Sequence, residues 1–180
     1  MLGRVPLLLS WLLTASICFP VAAQQLSPDH TRCENTANAF SLDAQISGCT
    51  AVLQSARETA INRALAYYTR GVVYQSKGDY ARAMTDYNEA IRLNPGFANA
   101  YYNRGIAYHA KGDYDPAIAD FSEAIRLSPG PAAPGYYRRG VTYEAKRDYD
   151  RAIADFRQAL SIGPNIQESR DALKRLGAAP

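Results

Sequence analysis

Histidine is almost missing from this sequence. His30 and His109 are the only two among 180 residues, and they lie far apart, so a two-histidine metal motif has no spacing to be built on. There is no Ser-x-x-Lys, no Gly-x-Ser-x-Gly, no phosphate loop and no dinucleotide fingerprint. No catalytic residue, metal ligand or cofactor is therefore assigned, and the chain reads as a non-enzyme. An excess of one charge is also lacking. Twenty basic side chains face 17 acidic ones, too even a balance to argue for nucleic acid or an anionic membrane as partner. The longest apolar run, Leu7 to Phe19, falls short of the roughly 20 residues of a bilayer span and ends at Pro20.

That run has another reading. Arg4 precedes it and Val21-Ala22-Ala23 follows with the small residues a signal peptidase needs, which is the pattern of a secretory leader cut after Ala23. The expected location is periplasmic or secreted, with no membrane span after cleavage. Cys18 follows Ile17 rather than a small residue, which argues against lipidation. Cleavage removes Cys18 and leaves Cys33 and Cys49, an even pair that in an exported chain implies a disulfide. Their separation is far from Cys-x-x-Cys, so a redox-active pair is not expected.

The most informative feature is repetition. YYTRGVVYQSKGDYARAMTDY begins at Tyr67, YYNRGIAYHAKGDYDPAIADF at Tyr101 and YYRRGVTYEAKRDYDRAIADF at Tyr136. Tyr67, Gly71 and Tyr74 align with Tyr101, Gly105 and Tyr108 and with Tyr136, Gly140 and Tyr143, a spacing that marks one helical face. After a turn, Ala83, Tyr87 and Ala90 align with Ala117, Phe121 and Ala124 and with Ala152, Phe156 and Ala159. Each copy is thus a pair of antiparallel helices whose small residues admit a close approach and whose aromatics fill the space. Asp79, Asp113 and Asp148 stand at the N-caps of the second helices, and Pro95, Pro129 and Pro164 lie beyond their ends. Pro116 falls in a first turn, where its missing amide costs nothing. Gly78 and Gly112 close the first helices, where the third copy has Arg147. Asp86, Asp120 and Asp155 each follow Arg70, Arg104 and Arg139 by 16 residues, which predicts three Arg–Asp pairs across the hairpins.

The motif Tyr-x2-Arg-Gly-x2-Tyr, then Ala-x3-aromatic, then Pro resembles the tetratricopeptide repeat over residues 64 to 166. The departures are Tyr67, Tyr101 and Tyr136 where that family often has Trp, and the three arginines where it often has Leu. The resemblance implies an all-α, right-handed solenoid of helix pairs, with repeats at 64–97, 98–131 and 133–166. Residues 1–23 are the leader and 24–31 a flexible tail. Residues 32–63 form a degenerate N-terminal hairpin with a connector, because Cys33 and Cys49 share the 16-residue separation of Gly71 and Tyr87. Residues 167–180 form a capping helix, with Ala172, Leu173 and Leu176 turned inward, and a tail. The extra residue in the PGPAAPG stretch at 129–135, with Gly135 in a first turn, predicts a tilted or looser third repeat.

The resemblance also implies a concave groove that takes peptides or partner helices. The residues expected to line it are Tyr68, Val72 and Gln75; Tyr102, Asn103, Ile106 and His109; and Tyr137, Arg138, Val141 and Glu144. Two roles stay open for the three tyrosines, recognition or packing between repeats. In one branch of the family a C-terminal carboxylate is gripped by a clamp. Asn103 and Arg138 match that clamp, but Tyr68, Val72 and Pro134 stand where its other members should be, so that ligand is not expected. The functional expectation is an interaction module of a Gram-negative cell envelope, similar to other short envelope repeat proteins, with an envelope protein or peptide as partner. The alternative is a structural element that self-associates weakly through its ends.

Overall fold

The computed structural model describes residues 27–128, 132–163 and 166–179. The leader expected at 1–23 and the prolines at 129 and 164 lie outside them. The described residues form nine helices and no strand: α1 Pro28–Glu34, α2 Leu42–Gln54, α3 Ala60–Ser76, α4 Tyr80–Leu93, α5 Ala98–Lys111, α6 Tyr114–Leu127, α7 Ala133–Ala145, α8 Tyr149–Ile162 and α9 Gln167–Arg175. Consecutive helices pack as antiparallel neighbours, α3 on α4, α5 on α6 and α7 on α8. The layout is that of a solenoid, each pair contacting the next.

Close approach explains the invariant glycines. A Cβ on Gly71 would lie 2.7 Å from Tyr87 Cε1, one on Gly105 2.9 Å from Phe121 Cε1, and one on Gly140 2.8 Å from Phe156 Cε1. Tyr87, Phe121 and Phe156 are in turn fully or almost fully buried. The turns are equally regular. Asp79 N–H donates to the Tyr74 carbonyl and Gly78 N–H to that of Gln75, and the same two bonds recur at Asp113 and Gly112 and at Asp148 and Arg147. This closing motif needs a left-handed residue. Gly78 has φ +77° and Gly112 +83°, and Arg147 is held at +62°.

Asp79 and Asp148 accept from the backbone N–H groups of Arg82 and Arg151. Asp113 makes no such cap. The amide it should receive belongs to Pro116, which has none, and Asp113 faces Lys111 at 3.4 Å instead. The same proline removes a stacking partner. Arg82 lies 4.4 Å from the Tyr74 ring and Arg151 4.6 Å from that of Tyr143, and Pro116 occupies the equivalent place in the second repeat.

All three Arg–Asp pairs are present, each with two N–H···O bonds between 2.7 and 2.8 Å. Each guanidinium also reaches backwards. Arg70 donates to Thr50, Arg104 to Asn88 and Arg139 to Ser122, so every arginine joins its own first helix to the second helices on both sides. Thr50, Asn88 and Ser122 directly follow Cys49, Tyr87 and Phe121. Cys49 thus occupies the register of the core aromatics. It is bonded to Cys33, with the two Cα atoms 4.4 Å apart, and both cysteines are buried beside Val52, Leu53 and Ala66. The α1–α2 hairpin is therefore the degenerate first pair of the stack.

Three expectations need correction. The tail placed at 24–31 is already helical from Pro28, because Ser27 caps α1 through His30 N–H and the proline sits at its first turn. His30 is consequently no tail residue. Its Nε2 lies 2.8 Å from Glu58 Oε1, tying α1 to the α2–α3 connector. The third repeat is not loose, since α7 packs on α6 more extensively than α5 does on α4. Gly135 makes this possible: a Cβ there would come within 2.7 Å of Ile125 Cγ1.

At the far end α9 takes the place of a further first helix. Ala172 and Leu173 are buried, and Leu176 packs against the same cluster. The exposed positions of α9, Gln167, Glu168, Asp171, Lys174 and Arg175, are all polar, as a terminal cap requires.

Candidate functional site

The first helices touch one another directly, α3 with α5 and α5 with α7, whereas no comparable contact joins α4, α6 and α8. The tighter layer is the inner one. α3, α5 and α7 therefore line the concave side, and the groove positions read from the sequence fall on them.

Many of those residues are committed to the stack. Tyr68 packs on Phe97 at 4.8 Å and on Tyr87 at 6.2 Å between ring centres, and its hydroxyl accepts from Asn103 Nδ2 at 3.1 Å. Burial pushes its pKa up, which the Asn103 bond partly offsets. Gln75 accepts from the hydroxyl of Tyr87 at 2.9 Å. Tyr102 and Tyr137 lean on Phe121 and Phe156. Tyr137 and Val141 also pack around the cluster that α9 closes, and Glu144 accepts two bonds from Arg175, at 2.8 and 2.9 Å.

His109, expected to be an exposed groove residue, is half-buried between the second and third repeats. The Thr142 hydroxyl gives its hydrogen to the Arg138 carbonyl at 2.8 Å, which leaves its oxygen to accept from His109 Nδ1–H at 3.0 Å. The imidazole also lies 5.5 Å from the Tyr114 ring. Burial, with Arg138 nearby as the second cause, holds its pKa below the ordinary histidine value, so it is a neutral hydrogen-bond donor at pH 7.

What stays open is the rest of that set, Val72, Ile106 and Arg138, together with two residues outside it, Leu65 and Ile61. Val72 is 37% exposed, Leu65 40% and Ile61 70%, and all three share the α3 face that carries Tyr68. Ile106 is half-buried and Arg138 exposed. A cleft of about 320 Å³ opens among α5, α6 and α7, lined by Ala98, Tyr102 and Ile125 together with Asn99 and Ser128. Leu65 and Ile61 extend the Tyr68–Val72 stripe at helical spacing, but they precede the repeated block that begins at Tyr67. No sequence signal pointed to the cleft. Among the described residues no three His, Cys, Asp or Glu side chains cluster as metal ligands would, and no helix is long and apolar enough to cross a membrane.

Residues 71–112 match the TPR repeat family, and residues 98–131 and 133–166 match the tetratricopeptide repeat family. Comparison with curated protein sequences gives no match. Among solved structures, the chain is similar to the Arabidopsis OM64 TPR domain, with 28% identity, a TM-score of 0.64, and coverage of 66% of this chain and 98% of that one. It is also similar to the first TPR of Spaghetti (RPAP3) bound to an HSP90 peptide, at 25% identity and a TM-score of 0.62, covering 65% and 92%. MamA shares the fold, with 23% identity, a TM-score of 0.69, and coverage of 81% and 84%.

Proposed function

Given that the chain belongs to the tetratricopeptide-repeat family, which it matches over more than half its length, we propose that it is a non-enzymatic adaptor of the bacterial cell envelope. It receives a peptide or helix of a partner protein on its concave face. The observation that carries this reading is the open apolar column Ile61, Leu65 and Val72 on α3. Aliphatic side chains left this exposed on an inner wall gain free energy when a partner covers them. The Spaghetti domain, whose structure holds an HSP90 peptide, supports a peptide as the ligand class. The export part of the reading rests on the leader pattern at residues 1–23 and on the Cys33–Cys49 pairing, which suits an oxidising compartment.

The test is a pull-down from an envelope extract with the oxidised protein, against Leu65→Asp/Val72→Asp as control. These two side chains leave the core untouched, unlike Tyr68. The expected result is a partner captured by the parent protein and lost by the variant at unchanged helicity. Equal capture by both would refute groove binding. Light scattering over a concentration series addresses the rival reading of end-to-end self-association, which the polar outer positions of α9 disfavour. A mass that grows with concentration in the absence of partner would favour that rival.

A further inference from the structure

Ile61 is the barest of the large apolar side chains on α3, and register explains it. Cys33 and Gly71 hold equivalent places in their hairpins, so α1 begins, at Pro28, level with Ala66 of α3, while α5 begins, at Ala98, level with Ala64. The first turn of α3 therefore projects past the starts of both neighbouring first helices. It carries Ile61, 70% exposed, and the column continues inward through Leu65 to Val72.

The chain enters the stack at the same place. His30, in the first turn of α1, lies 2.8 Å from Glu58 Oε1, and Glu58 Oε2 accepts from Asn62 Nδ2 at 2.9 Å. Whatever precedes Ser27 thus sets out beside the turn that bears Ile61. What precedes it includes the longest apolar run of the sequence. Residues 7–19 lie outside the described residues, but no charged side chain occurs between Arg4 and Asp29, and the column is uncharged too. The 13 residues of the run would span about 20 Å as a helix, against about 17 Å from Ile61 to Val72 along α3. The eight residues between the run and Pro28 reach up to about 27 Å, so the tether is long enough.

Tethering also decides among possible first occupants. A segment joined by a short linker meets the column at an effective concentration in the millimolar range, far above that of a free peptide. A second copy would set three aliphatic side chains against three, too little area for a stable dimer. We propose that residues 7–19, while still attached, lie on the Ile61–Leu65–Val72 column as an intramolecular plug, and that cleavage after Ala23 cuts the tether and opens the groove to its partner. The uncleaved chain is thereby held inactive until it has been processed. The inference rests on the leader and groove readings above.

Trp11 is the only tryptophan of the chain and lies inside the run, so its emission reports on the run alone. The test uses the full chain, made by cell-free synthesis without membranes so that residues 1–23 stay attached, and then oxidised. Three forms are compared: the parent, Leu65→Asp/Val72→Asp, and Gln158→Asp/Ser161→Asp, which puts the same charge on exposed positions of α8. Circular dichroism checks helicity, and Ile61→Asp replaces the column variant should that variant lose it. The parent and the α8 control are expected to elute as monomers, with Trp11 emission shifted to shorter wavelength and shielded from acrylamide. The column variant should lose the shift and the shielding, or aggregate through its uncovered run. Solvent-like emission or aggregation of the parent overturns the inference, as does shielding that survives in the column variant or disappears in both variants. Any of these results leaves groove binding standing, because the pull-down is made with the processed chain; a shielded Trp11 together with a failed pull-down would keep the plug and reject the groove partner.

Discussion

Arg70 holds Thr50 with one nitrogen, Nη1 to Oγ1 at 2.9 Å, while its opposite edge grips Asp86 at 2.8 Å. One side chain on α3 thereby ties α2 to α4, and Arg104 and Arg139 do the same one and two repeats later. The aromatic neighbours add to this. The Tyr67, Tyr101 and Tyr136 rings lie 5.4 to 5.6 Å from the three guanidinium carbons. A leucine could fill the volume, but it could not satisfy the carboxylate behind it.

Removing one arginine therefore strands a buried acid. Asp120 is 6% exposed, and burial pushes its carboxyl above the usual range even with Arg104 opposing the shift. Arg104→Met is expected to destabilise the fold by about 3 kcal/mol at pH 7.5, and Arg104→Met/Asp120→Leu to recover most of the loss. An acid with a raised folded pKa binds more protons folded than unfolded, so stability falls as pH rises through that window. The cost of Arg104→Met should accordingly be smaller at pH 4.5, as read by urea denaturation.

Arg147 carries backbone strain that its two counterparts avoid. Its φ of +62° matches a position where glycine loses nothing, and its side chain is exposed. Arg147→Gly should stabilise by about 1 kcal/mol and raise the melting temperature by a few degrees. An unchanged or lower value would deny that the third turn is built like the other two.

The disulfide closes the first hairpin, whose α1 is only seven residues long. Cys33→Ser/Cys49→Ser is expected to cost about 3 kcal/mol through a freer unfolded chain. In a stack whose units contact only their neighbours, the damage should stay local. Hydrogen exchange should rise first in α1 and α2, with α5 to α8 still protected.

Ser169 faces the opposite problem. Its side chain is fully buried in α9, and Oγ has no hydrogen-bond partner among the described residues. Replacing an unsatisfied buried hydroxyl by hydrogen removes a desolvation cost, so Ser169→Ala should stabilise by about 1 kcal/mol. Urea denaturation measures it.

His109 makes the junction of the second and third repeats sensitive to acid. Because burial depresses its folded pKa, the unfolded chain takes up a proton first. Stability is then full above the unfolded value of about 6.5 and declines as pH falls below it. The urea midpoint should drop between pH 7.5 and 5, and His109→Gln should reduce that drop, since an amide still donates to Thr142 without titrating.

Much of the architecture was readable in advance because repetition is itself a measurement. Three aligned copies separate the residues that must be alike, such as Gly71 and Tyr87, from those free to vary. The 16-residue interval then extended the register to Cys33 and Cys49 without any motif. The start of α1 was missed since a capped proline turn of seven residues has no periodicity to show. Gly135 was misjudged because its cost to a helix is local, whereas its benefit, room for Ile125, comes from another helix.

The groove divides along the same line. Helical spacing placed Tyr68, Tyr102 and Tyr137, with Val72, Ile106 and Val141, on the inner faces, because the position of a Cβ around a helix axis follows from sequence number alone. Whether such a side chain greets a ligand or a neighbouring repeat depends on how far apart the helices settle. That distance put Tyr68 into a bond with Asn103, drew His109 onto Thr142, and left Arg138 exposed. These outcomes are set by packing between residues about 35 apart in the chain, where no local pattern can carry the information.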